Sequence, residues 1–183
     1  MRHAPTSWSG RRYCGVSDPG LGALGRRLAA RSAAELAPLL AADIRLVTSP
    51  RRRAIETMAA LAHTLGRSQD TIEIDGRWAE ADFGIAEGRT FEELAVLQPD
   101  LAERLAAGDT AIDWPGGETA AALTDRIASA WADLVADGRP AVVVTHAGPI
   151  REALAIATSA RPGDVAIPAP GEVRWWSEPV PGV

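Results

Sequence analysis

The stretch that decides the class of fold is residues 141–149, which read AVVVTHAGP. Residues 141–145 form an apolar, β-branched run without polar alternation, which is typical of a strand buried on both faces of a parallel sheet. The chain then turns through His146, Ala147 and Gly148, and Pro149 suits the start of a helix. The stretch predicts a strand-to-helix unit with His146 at the carboxyl end of the strand, where open α/β sheets bind ligands.

A second strand-to-helix unit lies earlier in the chain. Residues 44–48 (IRLVT) predict a short strand, followed by Ser49 as a helix N-cap and Pro50 at the first helical position. We expect this helix to run to about Leu65 and to stop at Gly66. Both helix N-termini would face the same rim of the sheet, and their partial positive charge favours anions.

The rest of the chain continues the alternation of strands and helices. We predict further helices over residues 21–40, from the capping box at 90–93 onward, and around the apolar stripe of Leu123, Ile127, Trp131 and Leu134. Further strands are predicted at 71–74 and 172–176, an acidic and Gly-rich loop at 77–89, a break at 115–118 (PGGE), and a loose tail at the end. This pattern predicts a single domain over residues 1–183, a three-layer α/β sandwich with a mostly parallel central sheet and helices on both faces.

The composition excludes several classes of function. The chain has no lysine, so all 19 basic residues are arginine, which rules out Schiff-base catalysis and a Gly-Lys-Ser/Thr phosphate loop. A net charge of −5 gives no reason to expect nucleic-acid binding. Cys14 is the single cysteine, which excludes an intrachain disulfide, and no apolar run suits a membrane span or a signal peptide. We expect a cytoplasmic protein with no membrane partner.

Three consecutive arginines open the predicted second helix, at its positive end, where cations are unfavourable. At least one of them therefore has a reason to hold a bound anion. For Arg51 and Arg52 we favour a solvated patch that pairs with Glu56 or Asp82. For Arg53 the residues alone leave the two interpretations even.

Four segments together resemble the motifs of the histidine phosphatase superfamily, in family order. The first is residues 2–6 (RHAPT), similar to the Arg-His-Gly signature with Ala4 in place of glycine. Residues 49–57 (SPRRRAIET) resemble the second motif and assign its arginine to Arg53. Residues 80–88 resemble the acidic loop of the family, and residues 144–151 (VTHAGPIR) resemble the segment of its second histidine.

The resemblance implies a phosphatase mechanism without a metal ion or other cofactor, acting on a small-molecule phosphate ester. His3 would be the nucleophile that carries the phosphoryl group, and Glu80 would protonate the leaving oxygen and then activate water. His146, expected to be protonated, would stabilise the transition state. Glu80 ranks ahead of Asp82 and Glu87 as proton donor by motif position. The residues implied to bind the phosphoryl oxygens are Arg2, Arg53, His146, Thr6 and Ser9.

Each residue also has a structural interpretation. His3 could be a frayed terminal residue, His146 a satisfied histidine at a strand end, and Glu80 a solvated loop acid. The chain departs from the family pattern because only Met1 precedes the Arg-His pair, so the first strand is missing or truncated. We expect the chain as written to be less stable and less active than one extended upstream. Ser9 also stands where many members carry asparagine.

Residues 13–21 (YCGVSDPGL) resemble the corresponding segment of α-ribazole phosphatases, which makes α-ribazole 5′-phosphate the leading specific substrate. A phosphoglycerate mutase-type phosphotransferase and a non-catalytic phosphate-binding module stay as alternatives. A cysteine-based phosphatase would need arginine six positions after Cys14, where Gly20 stands. The His-Glu-x-x-His pattern of zinc hydrolases is absent. The sequence sets no oligomeric state.

Overall fold

A computed structural model describes residues 1–177 of the chain. Its sheet has three parallel strands, β1 (Arg45–Thr48), β2 (Ile72–Ile74) and β3 (Ala141–Val144), in the order β2–β1–β3. The α-helices are α1 (Ala23–Leu36), α2 (Arg52–Thr64), α3 (Phe91–Leu97), α4 (Pro99–Ala106), α5 (Ala120–Asp137) and α6 (Ala147–Thr158). Among the described residues, no helix is long and apolar enough to cross a bilayer.

The central strand β1 contributes side chains to both faces of the sheet. Leu46 pairs with Ile72 on one side and with Val142 on the other. Leu46 packs with residues of α1 and α2, whereas its neighbour Val47 packs with residues of α5 and α6. Because successive side chains of a strand point to opposite faces, this division places helices on both sides of the sheet. The predicted three-layer architecture is confirmed.

The backbone of residues 1–3 runs parallel to the strand β3 and continues its ladder. Arg2 forms a parallel bridge with Thr145, whose N–H donates to the Met1 carbonyl at 3.0 Å. The His3 N–H donates to the Thr145 carbonyl at 2.9 Å. On its other side Arg2 exchanges backbone hydrogen bonds with Gly171 and Glu172. His3 is therefore held in the sheet and is not a frayed residue.

Two predicted helix starts are displaced in the structure. The helix α2 begins at Arg52 with Arg51 as N-cap, not at Ser49 and Pro50, because the Ser49 hydroxyl makes a long-range hydrogen bond. The helix α6 begins at Ala147 with His146 as N-cap, two residues before Pro149. The strands at 44–48, 71–74 and 141–145 and the helices after residues 90 and 119 lie where their patterns predicted, with shifts of a few residues at their ends.

Two further predictions are wrong or incomplete. The predicted helix over residues 21–40 ends at Leu36 and tightens into a 3-10 turn at Ala37–Leu39, because Pro38 supplies no N–H. Residues 172–176 do not form a strand. The predicted loose tail falls mainly on residues 178–183, outside the described part of the chain.

The helices α3 and α4 belong to an excursion of the chain over residues 86–114. Its two ends are joined by hydrogen bonds from the Ile85 N–H to the Pro115 carbonyl and from the Glu118 N–H to the Asp82 carbonyl, both at 2.9 Å. The excursion has an apolar cluster of its own, separate from the two clusters that cover the sheet, formed by Ala86, Leu94, Leu101 and Ile112.

Candidate active site

His3 lies at the carboxyl edge of the sheet and is 8% exposed. Its Nδ1 atom is 2.7 Å from the Ala4 carbonyl oxygen. Because a carbonyl only accepts, Nδ1 carries the ring hydrogen and Nε2 keeps a free lone pair. Burial, helped by the charges of Arg53 and Arg2 and opposed by the Ala4 hydrogen bond, lowers the pKa of His3 to about 3. The ring is thus neutral above acidic pH and presents the Nε2 lone pair.

His146 is fully buried beside His3, with the two ring centroids 4.9 Å apart. Its Nε2 lies 2.7 Å from the Ser49 hydroxyl oxygen, which already accepts the Arg51 N–H at 3.2 Å. We assign the serine hydrogen to Nε2, which places the ring hydrogen on Nδ1. That Nδ1 atom is buried and has no partner among the described residues.

The electrostatics of His146 differ from the expectation that it is protonated. Burial, followed by the neighbouring His3 and Arg53, lowers the pKa of His146 well below its ordinary value. The ring is neutral in the free protein, because burying a charge is costly unless it is compensated. A neutral ring still presents the Nδ1 hydrogen, so His146 can donate to an anion without being charged.

Arg53 is 1% exposed on the first turn of α2, and backbone carbonyls hold its guanidinium. Nη1 donates to the Ser17 carbonyl at 2.8 Å, and Nη2 donates to the carbonyls of Cys14 at 2.9 Å and Gly15 at 3.1 Å. Its Nε has no partner within the described chain. Burial lowers the pKa of the Arg53 guanidinium, although an arginine remains charged at ordinary pH.

Arg2 stands on the same edge, where its Nη1 donates to the Pro168 carbonyl at 3.2 Å. Four buried side-chain nitrogens have no hydrogen-bond partner within residues 1–177, and they belong to Arg2, Arg51, Arg53 and His146. Buried donors normally find partners, and unsatisfied ones cost free energy. Three of the four belong to residues that the motifs assign to the phosphoryl group, so the donors match an anionic ligand.

The remaining arginines of the run behave in two ways. Arg52 pairs with Glu56 at 2.6 Å on the surface of α2, as predicted. Arg51 pairs with no carboxylate of the described residues, and its Nη1 donates to the Val16 carbonyl at 3.3 Å. Arg52 therefore forms the predicted surface pair with Glu56, whereas Arg51 does not.

Glu80 is 8% exposed and is not a solvated loop acid. Burial raises the pKa of Glu80, against the hydrogen bond from the Ala81 N–H and the charges of Arg53 and Arg2, which lower it. Its carboxyl group packs on the first turn of α6, where a Cβ added to Gly148 would lie 2.5 Å from Oε1. A carboxyl group that keeps its proton to higher pH can act as a general acid.

The backbone that precedes Glu80 is held from two directions. The Arg126 guanidinium donates to the carbonyls of Arg77 at 2.6 Å and Ala79 at 2.8 Å. The Thr145 hydroxyl donates to the Trp78 carbonyl at 2.6 Å. Thr145 immediately precedes His146, so the acidic loop and the second histidine are joined directly.

The two competing acids have other partners. The Glu87 carboxylate accepts several backbone N–H groups, and these hydrogen bonds outweigh its burial and lower the pKa of Glu87. Asp82 accepts the Gly84 N–H at 2.9 Å in a turn. The proton-donor role of Glu80, ahead of Asp82 and Glu87, stays a prediction.

Thr6 and Ser9 lie in a turn that follows His3. The Thr6 N–H donates to the Ser9 hydroxyl at 3.0 Å, and the Trp8 N–H donates to the Thr6 hydroxyl at 3.1 Å. Within the described residues, neither hydroxyl is hydrogen-bonded to Arg2, Arg53 or His146. Their predicted contact with a phosphoryl group stays a prediction.

Two residues with positioning contacts were not given that role by the sequence. Ser49 was predicted as a helix cap but orients His146. The buried Thr57 hydroxyl accepts the Ala4 N–H at 3.0 Å and donates to the Arg53 carbonyl at 2.7 Å, so it joins the nucleophile segment to α2. The sequence spacing could have indicated this contact, because Thr57 lies four residues after Arg53 and therefore on the same face of the helix.

The chain is similar to known proteins along most of its length. A family model described as histidine phosphatase superfamily, branch 1, matches residues 1–168. A protein of Mycobacterium tuberculosis named as bifunctional is 34% identical over 168 residues, which cover 89% of this chain but 44% of that protein. The chain thus spans less than half the length of that relative.

Two solved structures have the same fold. A mycobacterial glucosyl-3-phosphoglycerate phosphatase, in complex with VO3, is 27% identical, with a TM-score of 0.79 over 93% of this chain and 85% of that one. A candidate α-ribazole-5′-P phosphatase of Escherichia coli is 20% identical, with a TM-score of 0.76 over 90% and 80% of the two chains, which shows the fold alone. From the match over residues 1–168 and the arrangement of its four motifs, the chain belongs to the histidine phosphatase superfamily.

Proposed function

We propose that the chain is a phosphomonoesterase that hydrolyses a small phosphorylated metabolite through a phosphohistidine on His3. The observation that carries this proposal is the Ala4 carbonyl on His3 Nδ1, which leaves Nε2 as the free base beside unpartnered buried donors. A neutral imidazole with a defined tautomer is what nucleophilic attack on phosphorus needs.

In the first step, the lone pair of His3 Nε2 forms a bond to phosphorus while the bond from phosphorus to the leaving oxygen breaks. Glu80 gives its proton to that oxygen, so the product alcohol leaves neutral. Arg2 and Arg53 donate to the phosphoryl oxygens and offset their charge, as planar guanidinium groups do well. The His146 Nδ1 hydrogen adds a neutral donor at the transition state.

In the second step, the Glu80 carboxylate takes a proton from water while the water oxygen bonds to phosphorus. The bond between phosphorus and Nε2 breaks, and its electron pair returns to the ring. Inorganic phosphate leaves, and Glu80 is again protonated. One carboxyl group therefore serves both steps, which fits a buried acid whose pKa is raised.

The leaving group is the finer part of the proposal. The resemblance of residues 13–21 supports α-ribazole 5′-phosphate, and the similarity to the mycobacterial enzyme supports glucosyl-3-phosphoglycerate. Both are phosphate monoesters of small polar molecules. The cytoplasmic location stays a prediction.

The test is hydrolysis of p-nitrophenyl phosphate in EDTA by the parent chain, by His3→Ala and by His63→Ala. His63 is exposed on α2 and serves as the matched histidine control. We expect turnover and an acid-labile phosphoryl group with the parent chain and with His63→Ala, and neither with His3→Ala. Undiminished turnover by a folded His3→Ala variant would falsify the proposal.

The alternatives predict different products. A mutase-type phosphotransferase would convert 3-phosphoglycerate faster than it releases phosphate from a generic ester. A binding module would bind inorganic phosphate and turn over neither substrate. The two activities and phosphate affinity, measured on one preparation, separate the three functions.

A further inference from the structure

The Glu87 carboxylate, which the proposed mechanism does not use, gathers four backbone N–H groups. Its Oε1 accepts from Gly15 at 2.9 Å and from Val16 at 2.8 Å. The Phe83 N–H donates to the same oxygen at 3.2 Å, and the Ser17 N–H donates to Oε2 at 3.2 Å. One side chain thus ties three successive residues, 15–17, to the acidic loop.

The opposite side of the same segment faces Arg53. The carbonyls that hold Nη1 and Nη2 of Arg53 belong to Cys14, Gly15 and Ser17. The amide hydrogens of this segment therefore point to a carboxylate and its carbonyl oxygens point to a guanidinium. Such an arrangement polarises the peptide groups in one direction and strengthens both sets of hydrogen bonds.

The segment has little freedom to take another position. A Cβ on Gly15 would collide with the Ala81 carbonyl oxygen and with Glu87 Oε1. The backbone therefore passes closely between the acidic loop and Arg53, and glycine permits this approach. Loss of the carboxylate would leave several half-buried N–H groups without their acceptor.

We propose that Glu87 is a positioning residue for the phosphoryl site: it fixes residues 14–17 so that their carbonyls hold the Arg53 guanidinium toward the phosphoryl group. The inference rests on the proposed function, because it takes Arg53 as a ligand of that group. Glu87 itself touches no reacting atom in this mechanism.

The first experiment measures inorganic phosphate affinity of Glu87→Gln by calorimetry, with kcat and KM for p-nitrophenyl phosphate. Glutamine keeps the size of the side chain but removes its charge. Its NH2 group also replaces one acceptor oxygen and so faces a backbone N–H with another donor. We expect phosphate to bind about tenfold more weakly, with a matching rise in KM. The control is Glu73→Gln on β2, which removes the carboxylate that pairs with Arg45 of β1 and should leave phosphate affinity unchanged.

The second experiment is a double-mutant cycle with Arg53→Gln. If Glu87 acts through Arg53, Glu87→Gln should weaken phosphate binding in the parent chain and add little in the Arg53→Gln background. A full additional loss in that background, or no loss in the parent chain, overturns the inference. If Glu87→Gln does not fold, Gly15→Ala displaces the same segment and is expected to show the same non-additivity.

The readouts separate this inference from the proposed function. If the parent chain binds phosphate but does not hydrolyse esters, the proposed hydrolysis fails and the cycle still decides the role of Glu87. If the parent chain hydrolyses esters and Glu87→Gln binds phosphate equally well, only the inference fails. A parent chain that neither hydrolyses esters nor binds phosphate overturns both.

Discussion

The imidazole rings of His3 and His146 lie 4.9 Å apart, with their planes inclined by 58°. Each ring has one nitrogen held at 2.7 Å by a different kind of partner, the Ala4 carbonyl for His3 and the Ser49 hydroxyl for His146. The carbonyl leaves His3 with a free lone pair, and the hydroxyl leaves His146 with a free ring hydrogen. Two neutral histidines thus present a nucleophile and a donor side by side.

Ser49→Ala tests the tautomer of His146. The change leaves Nε2 without its partner, so the ring hydrogen can move away from Nδ1. We expect kcat to fall about tenfold and the free energy of unfolding to fall by about 1–3 kcal/mol. Kinetics and thermal unfolding measure the two effects, and Ser49→Thr, which keeps a hydroxyl, is the control. Equal kcat for Ser49→Ala and the parent chain would show that this hydrogen bond has no role in turnover.

The pH dependence of activity should reflect the two buried groups. His3 has a pKa lowered to about 3, so the nucleophile is neutral across the usual assay range. Glu80 has a raised pKa and loses its proton as pH increases, so kcat/KM should fall on the alkaline side. Glu80→Gln should remove this limb and lower kcat/KM, which reports the first step, by about 10²–10⁴-fold for alkyl phosphates. The loss should be smaller for p-nitrophenyl phosphate, whose leaving oxygen needs less protonation; equal losses would argue against Glu80 as the acid.

The same carboxyl group should cost stability at higher pH. Because the folded state holds the Glu80 proton more tightly, the unfolded chain loses its proton first as pH rises above the ordinary value of 4.5. The contribution of Glu80 to the free energy of unfolding is therefore fully present below that pH, and it is lost as pH rises to the pKa of Glu80 in the folded state. Glu80→Gln should therefore melt a few degrees higher than the parent chain at pH 8, with roughly no difference at pH 4. An equal difference at both pH values would contradict this linkage.

Gly148→Ala tests how closely Glu80 packs on α6. The new Cβ would lie 2.5 Å from Glu80 Oε1, so the carboxyl group must move. We expect a fall of about 10²-fold in kcat, because catalysis is sensitive to displacements of about 1 Å. Alanine at Gly22, which lies at the start of α1 with open space around its Cβ position and a negative φ, measures the general cost of a substitution. A folded Gly148→Ala variant with parental kcat would mean that Glu80 needs no fixed position.

Thr57→Val and Thr57→Ser form a matched pair for the segment that holds the nucleophile. Valine keeps the shape but removes the acceptor of the Ala4 N–H, whereas serine keeps the hydroxyl. We expect valine to lower the free energy of unfolding by about 1–3 kcal/mol and to reduce kcat, and serine to do much less of either. Chemical denaturation and steady-state kinetics provide the comparison. A reversed order would point to packing and not to the hydrogen bond.

The positions of the main site residues were predictable because each follows a local pattern. The apolar run before His146 predicts a buried strand, and ligands bind at the carboxyl ends of such strands. The motif arginine, Arg53, follows another strand end on the same edge. The burial of His3 was not predicted, because only one residue precedes the Arg-His pair and nothing in the sequence indicated its backbone pairing with Thr145.

The unpredicted parts depend on contacts between distant residues. Serine is a good helix cap by local preference, but Ser49 bonds to His146, 97 positions away, and the cap moves to Arg51. Residues 172–176 have strand-like composition, yet no ladder forms along them. Their backbone pairing is confined to the contact of Gly171 and Glu172 with Arg2, because the neighbouring segment offers no further strand residues: the Ala4 N–H donates to the Thr57 hydroxyl instead.

The closure of the excursion at residues 86–114 has a consequence for engineering. Its ends meet through Ile85 with Pro115 and Asp82 with Glu118, and its apolar cluster is separate from those that cover the sheet. Most of this segment is therefore a cassette with an interior of its own, which also packs against Tyr13 and Phe83 and pairs with Arg12 through Glu93. We expect cassettes between Arg89 and Trp114 to be exchangeable among relatives of different length. Glu87 stays outside the exchanged part, so leaving-group preference could be transplanted while the residues that handle phosphorus stay in place.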